Sequence, residues 1–203
     1  MHTGDRREDP SDEELLRDFL AGDAGAFEDL VQRFATELFT FVVRFVGSAA
    51  AAEDVVQETF LQVHQSAEGF DRDRRFKPWL FTIAANKARD HLRSRARKRE
   101  RSVETARGND DGPSLLEILS DPSAAADEAA MASEQRELVR EVIDSMPDHL
   151  REVLLLGYYQ HFAYKDIADV LGIPLGTVKS RLHAAVANFA VAYRRRMERK
   201  ASR

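Results

Sequence analysis

Cysteine is absent from all 203 residues. That excludes disulfides and thiolate-bound metals, and it fits a reducing compartment. No apolar run is long enough to span a bilayer, and no signal peptide opens the chain. A cytoplasmic protein with no direct membrane insertion is therefore expected. Strand-like alternation and internal repeats are missing. So are a phosphate-cradling P-loop, a nucleophile elbow and a metal-ligand spacing. The six histidines are scattered, and no two stand four apart as a helical metal site needs. His64 and His91 read as partly buried or solvated. With no residues to carry bond chemistry, no enzyme activity, cofactor, metal or small-molecule substrate is expected.

Positive charge is also short overall, with a net charge of −5, but the average hides blocks. Residues 87–101 hold eight bases and two acids, and residues 149–203 hold ten bases and four acids. Between them, residues 102–148 hold twelve acids and three bases. Such asymmetry points to polyanion contact at two places and other partners elsewhere. Solvated helices would also carry charge, so the blocks alone do not decide.

What is present is helical. Ser11 with Glu14 forms a capping box ahead of Leu15, Leu16, Phe19 and Leu20. Asp23 is placed to cap a long amphipathic helix bearing Phe27, Val31, Phe34, Leu38, Phe41, Val42 and Phe45, closed near Gly47. A third helix spans about 50–67 with Val55, Val56, Phe60 and Val63 inward and Glu53, Asp54, Gln57 and Glu58 on its polar side. A loop leads to a fourth helix from about Phe76 to Arg99, where Pro78 is tolerable because it lies in the first turn. Residues 102–123 are a turn-rich acidic linker holding one apolar knot of Leu115, Leu116, Ile118 and Leu119. A helix over about 124–145 follows, and Pro147 and Asp148 start another. The fold class is all-α: two helical domains joined by a flexible acidic linker, the C-terminal one carrying a helix-turn-helix.

Two stretches carry the functional signal. In Tyr164–His183, Ile167, Ala168 and Leu171 make an apolar stripe that ends at Gly172, a residue suited to the left-handed cap. Pro174 then opens a helix with Val178, Leu182, Val186 and Phe189 inward. Thr177, Ser180, His183 and Ala184 face out, flanked by Lys179 and Arg181. A polar outer face on the second helix of such a pair suits a DNA groove, and it equally suits solvent. In Phe70–Arg101, aromatics lead into a densely cationic helix. Aromatic faces stack on unpaired bases while Lys and Arg hold phosphates, a combination fitted to opened DNA. Leu80, Phe81 and Ile83 read as core. Phe70 and Phe76 read equally as core or as base platforms, and Asn86 as a satisfied polar residue or a base reader.

In these residues the chain resembles an extracytoplasmic-function (ECF) sigma factor of the sigma-70 family. Its region 2 is matched by AEDVVQETF (Ala52–Phe60) and FKPWLFTIAANKARDHL (Phe76–Leu92). Its region 4 is matched by MPDHLREVLLLGYY (Met146–Tyr159) and by the helix-turn-helix ending GTVKSRLH. The resemblance implies a disordered start (1–10), region 2 (11–101), a linker (102–123), region 4 (124–193) and a basic tail (194–203). It implies that Asp54, Gln57 and Glu58 dock on the clamp helices of the largest subunit of core RNA polymerase. It places Phe70, Arg72, Phe76, Trp79, Asn86, Lys87 and Arg93 on the minus-ten element of promoter DNA. It places Lys165, Thr177, Lys179, Ser180, Arg181 and His183 on the minus-thirty-five duplex, with region 4 also meeting the polymerase flap. An anti-sigma factor is a further expected partner. One departure is that family members commonly continue past KSRLH with arginines, where this chain has Ala184, Ala185, Val186 and Ala187. Ala184 and Ala187 fall on the outward face, so region 4 is expected to bind weakly or to read a different sequence. The competing readings are a stand-alone helix-turn-helix regulator and a protein-interaction module. Dependence on core polymerase separates them.

Overall fold

Ser11 begins the first helix as its sequence predicts. The Ser11 hydroxyl accepts the Glu14 N–H at 3.2 Å, and the Glu14 carboxylate accepts the Ser11 N–H at 2.8 Å. These bonds hold the Glu14 carboxyl below its ordinary value. The computed structural model describes residues 10–101 and 126–201. The first nine residues, the linker 102–123 and its apolar knot lie outside the described residues.

The first bundle has four helices: α1 (Asp12–Leu20), α2 (Ala24–Val46), α3 (Ala49–Ser66) and α4 (Phe76–Arg101). Asp23 caps α2 by accepting the Gly25 N–H at 2.9 Å, and Gly47 ends it at φ 75°. Ser48 caps α3. Each helix buries one stripe. Phe34, Phe41 and Phe45 of α2 meet Phe76, Leu80 and Phe81 of α4, with Val55 and Val63 of α3 closing the other side. Phe41 and Phe81 lie 5.3 Å apart, centroid to centroid.

The second bundle holds α5 (Ala126–Asp144), α6 (Asp148–Leu154), α7 (Tyr164–Leu171) and α8 (Leu175–Ala201). Helix α6 runs into a π-helical turn, Leu155–Tyr159, which the Gln160 N–H closes on the Leu155 carbonyl at 3.1 Å. His161 follows at φ 52°, and the chain turns to bring Phe162 inward. Gly157 lies close under Leu182: a Cβ there would meet its Cδ2 at 3.2 Å, so the leucine would have to give by a few tenths of an ångström. That close approach seats α8 against the turn.

The bundles are not independent. Phe162 of the second packs edge-on to Phe81 of the first at 5.1 Å. Arg151, buried on α6, donates to the carbonyl of Phe45 at 2.8 Å. The Arg44 guanidinium lies 3.9 Å over the Tyr159 ring, and the burial lowers its pKa. One continuous apolar core runs through both bundles.

Two features of α8 differ from expectation. Ala185 is fully buried, whereas Val186, expected inward, is 43% exposed. At 100° per residue, position 185 lies nearer the mean direction of 178, 182 and 189 than 186 does. The expected basic tail is also not a separate element. The recognition helix continues through it to Ala201, and Arg196 ties it to Glu141 of α5 at 3.3 Å.

Candidate nucleic-acid interface

Helices α7 and α8 make the helix-turn-helix. The turn is set by Gly172 at φ 63°, a left-handed conformation that favours glycine, and by Pro174, whose carbonyl accepts the Thr177 N–H at 2.8 Å. Burial of Val178, Leu182 and Ala185 fixes which face of α8 is free. Lys179, Ser180, His183, Ala184 and Ala187 are exposed on it, as is Lys165 on α7. Thr177 is half-buried. Arg181 turns inward instead of outward: its Nη1 lies 3.5 Å from Glu152 Oε1, and that carboxylate is itself buried.

The second surface lies on α4 and the loop before it. Phe70 is half-buried against Trp79, centroids 4.8 Å apart, and Arg72 is exposed at the loop tip. Phe76, left open between core and base platform, is in the core. It has no exposed surface and packs 5.5 Å from Phe34. A ring so placed cannot stack on a base without leaving the core. Asn86 is exposed, and its carbonyl oxygen accepts a hydrogen bond from Arg89 Nη1 at 2.9 Å. Arg93 is exposed and pairs with Asp90 at 3.3 Å. Lys87 pairs with Glu58 of α3 at 3.5 Å.

That pair links two surfaces assigned to different partners. Glu58 shares the exposed face of α3 with Asp54 and Gln57. Leu61 completes the same face, three residues past Glu58 and 58% exposed. Sequence reasoning missed it, because periodicity alone did not separate it from the inward Phe60. It also missed Arg75, Arg89, Glu152 and Asp166. Arg75 pairs with Asp166, 91 residues away, and Arg89 Nε lies 3.0 Å from Glu152, 63 residues away. No local signal announces such pairs. The hydrogen bond to Asp166 raises the Arg75 pKa.

Each bundle carries one helix with exposed polar side chains, Asn86 and Arg93 on α4 and Lys179, Ser180 and His183 on α8. Comparison with known proteins shows the family. Residues 30–98 match the family described as Sigma-70 region 2, and residues 136–188 match Sigma-70, region 4. RNA polymerase sigma-H factor of Pseudomonas aeruginosa is 34% identical over 176 residues, covering 86% of this chain and 89% of the relative. The ECF RNA polymerase sigma factor SigW of Bacillus subtilis is 30% identical over 168 residues, covering 83% and 89%. In fold, the chain is similar to the sigma factor RpoE of Bartonella quintana, solved with the anti-sigma factor NepR. The TM-score is 0.66 at 21% identity, over 83% of this chain and 96% of that one. The chain belongs to the sigma-70 family as an extracytoplasmic-function sigma factor, a factor that binds RNA polymerase and directs it to promoters.

Proposed function

We propose that the chain is a two-site promoter reader that works only when seated on core RNA polymerase. The observation that supports this is an exposed polar face on one helix of each bundle. On α4 it is Asn86 and Arg93, with half-buried Lys87 beside them, and on α8 it is Lys179, Ser180 and His183. Residues 11–101 read the minus-ten element as opened DNA, with Phe70, Arg72 and Trp79 beside the unstacked base. Residues 124–193 read the minus-thirty-five duplex and meet the polymerase flap. Base-edge contacts supply specificity, and phosphates with the polymerase supply affinity.

The α3 face of Asp54, Gln57 and Glu58, with Leu61 among them, seats on the clamp helices of the largest polymerase subunit. The factor makes and breaks no covalent bond, so it is not an enzyme and needs no cofactor. It acts in the cytoplasm, where the polymerase is. The Bartonella quintana protein of the same fold is held by an anti-sigma factor, and a partner of that kind is proposed for this chain too.

The test mixes the pure chain with core polymerase and a promoter library and scores run-off transcripts. Promoter-specific run-off that needs both proteins is the expected result. Tight, sequence-specific duplex binding with no gain in transcription would instead identify a stand-alone regulator.

A further inference from the structure

Helix α8 runs well past its reading face, and its charge is gathered at its two ends. Lys179 and Arg181 stand near the start, and Arg194, Arg195, Arg196, Arg199 and Lys200 near the finish. Between them Leu182–Tyr193 carries no Lys, Arg, Asp or Glu. That neutral stretch is about 18 Å long at 1.5 Å per residue. Two of the arginines serve the fold: Arg181 lies against Glu152, and Arg196 against Glu141 and Ser145. Arg194, Arg195 and Arg199 are exposed and make no ion pair among the described residues.

Direction and distance both favour DNA over a protein partner. Successive heptads on an α-helix drift by only about 20°, so Ser180, Ala187 and Arg194 share one side of α8. Position 195 lies five full turns beyond 177, so Arg195 returns to the direction of Thr177. On that side only small residues, Ala184, Ala187, Ala190 and Val191, are exposed between the two charged ends, and nothing bulky holds the helix off a duplex. Arg194 stands about 16 Å beyond His183, further than the major groove is wide, at about 12 Å. A straight helix whose first turns lie among base edges has left the groove by that point and is over the sugar-phosphate rim. An arginine there meets phosphate, not base.

The far end is also held in place. Arg196 Nε lies 3.3 Å from Glu141, its Nη1 donates to Ser145 Oγ at 3.3 Å, and the Phe189 and Tyr193 rings stack with centroids 5.8 Å apart. Phosphate contacts from a fixed helix set register as well as affinity.

We propose that the far end of α8 is a second, sequence-blind DNA site: Arg194, Arg195 and Arg199 hold backbone phosphates beside the minus-thirty-five element while Lys179, Ser180 and His183 read it. This rests on the minus-thirty-five reading of α8. It supplies the affinity that Ala184 and Ala187 do not, and it carries no base preference of its own.

The test uses the factor assembled with core polymerase and a duplex bearing the minus-thirty-five element of a promoter recovered by run-off. Arg194→Gln, Arg195→Gln and Arg199→Gln keep helix propensity and remove the charge. Each should lower the slope of log affinity against log salt by about 0.9, and the three together by about 2 to 3. The loss should be equal on matched and scrambled elements. The corresponding Lys variants should keep the slope, and so should Arg17→Gln, which removes the same charge from α1. In a second arm neutral methylphosphonates replace single phosphates across the element and its flanks. A few flanking positions should cost the wild type about threefold or more each and the triple Gln variant nothing. An unchanged slope, a loss confined to the matched element, or methylphosphonate penalties that persist in the triple variant would each overturn the phosphate site. Lost run-off with unchanged duplex binding would do the same and would assign the arginines to an acidic protein. Promoter-specific run-off by the wild type judges the sigma reading separately, since a factor without this site would still give it.

Discussion

The carboxylate of Glu13 on α1 accepts a hydrogen bond from the backbone N–H of Phe76, the first residue of α4, at 2.8 Å. The donor lies 63 residues further along the chain. A helix start leaves N–H groups without intrahelical partners, and a carboxylate there is also favoured by the helix dipole. Helix α4 therefore borrows its cap from α1, and the loop just before it is pinned at the same point.

Glu13→Ala should lower stability by about 1 kcal/mol, the usual worth of a lost cap. Glu13→Gln should recover part of the loss, since its amide oxygen still accepts. Urea unfolding of the three proteins checks this. Equal midpoints would mean that the bond contributes nothing.

On the proposed polymerase face, Leu61 is a large apolar group in water among Asp54, Gln57 and Glu58. Leu61→Ala should leave unfolding almost unchanged and weaken core polymerase binding about tenfold, as burying a leucine at an interface would require. Fluorescence anisotropy with labelled factor measures it. A variant that binds as the wild type does would remove Leu61 from the interface.

Ala184 is exposed on the outer face of α8, where the resemblance to ECF sigma factors raised the expectation of arginine. Ala184→Arg should add about 1–3 kcal/mol of discrimination at one base pair if the side chain reaches a guanine. Minus-thirty-five footprints should tighten or move, and run-off yields should follow. Unchanged footprints and yields would place Ala184 outside the groove.

Asp144 is the last residue of α5, and burial raises its carboxyl pKa above 3.8 despite Arg140 and Arg151 nearby. A negative charge at a helix C-terminus also opposes the dipole. An acid whose folded pKa is raised loses stability as pH climbs from its unfolded value through its folded one. Asp144→Asn should therefore raise the melting temperature at neutral pH by about 1–2 °C, and the gain should vanish near pH 3, where the wild-type carboxyl is protonated in both states. A gain that persists at low pH would point to packing instead of charge.

How much of this was legible depended on range. The capping box of Ser11 and Glu14, the caps of Asp23, Gly47 and Gly172, and the helix-turn-helix stripe all work within about four residues, and the structure has each where the sequence placed it. The choice of Ala185 over Val186 was nearly local and still missed. Both fit a loose apolar stripe, and only the finer 100° step per residue, which brings 185 nearer the mean direction of 178, 182 and 189, separates them.

The sequence alone determined the helices, the local caps at Ser11, Asp23, Gly47 and Gly172, the order of the two motif-bearing stretches and the family, because those depend on neighbours along the chain. Only the tertiary structure decided that Phe76 lies in the core, that Arg181 turns to Glu152, and that Arg75 meets Asp166. A side chain's partner across 91 residues is chosen by which helix faces pack together, and no single helix carries that information.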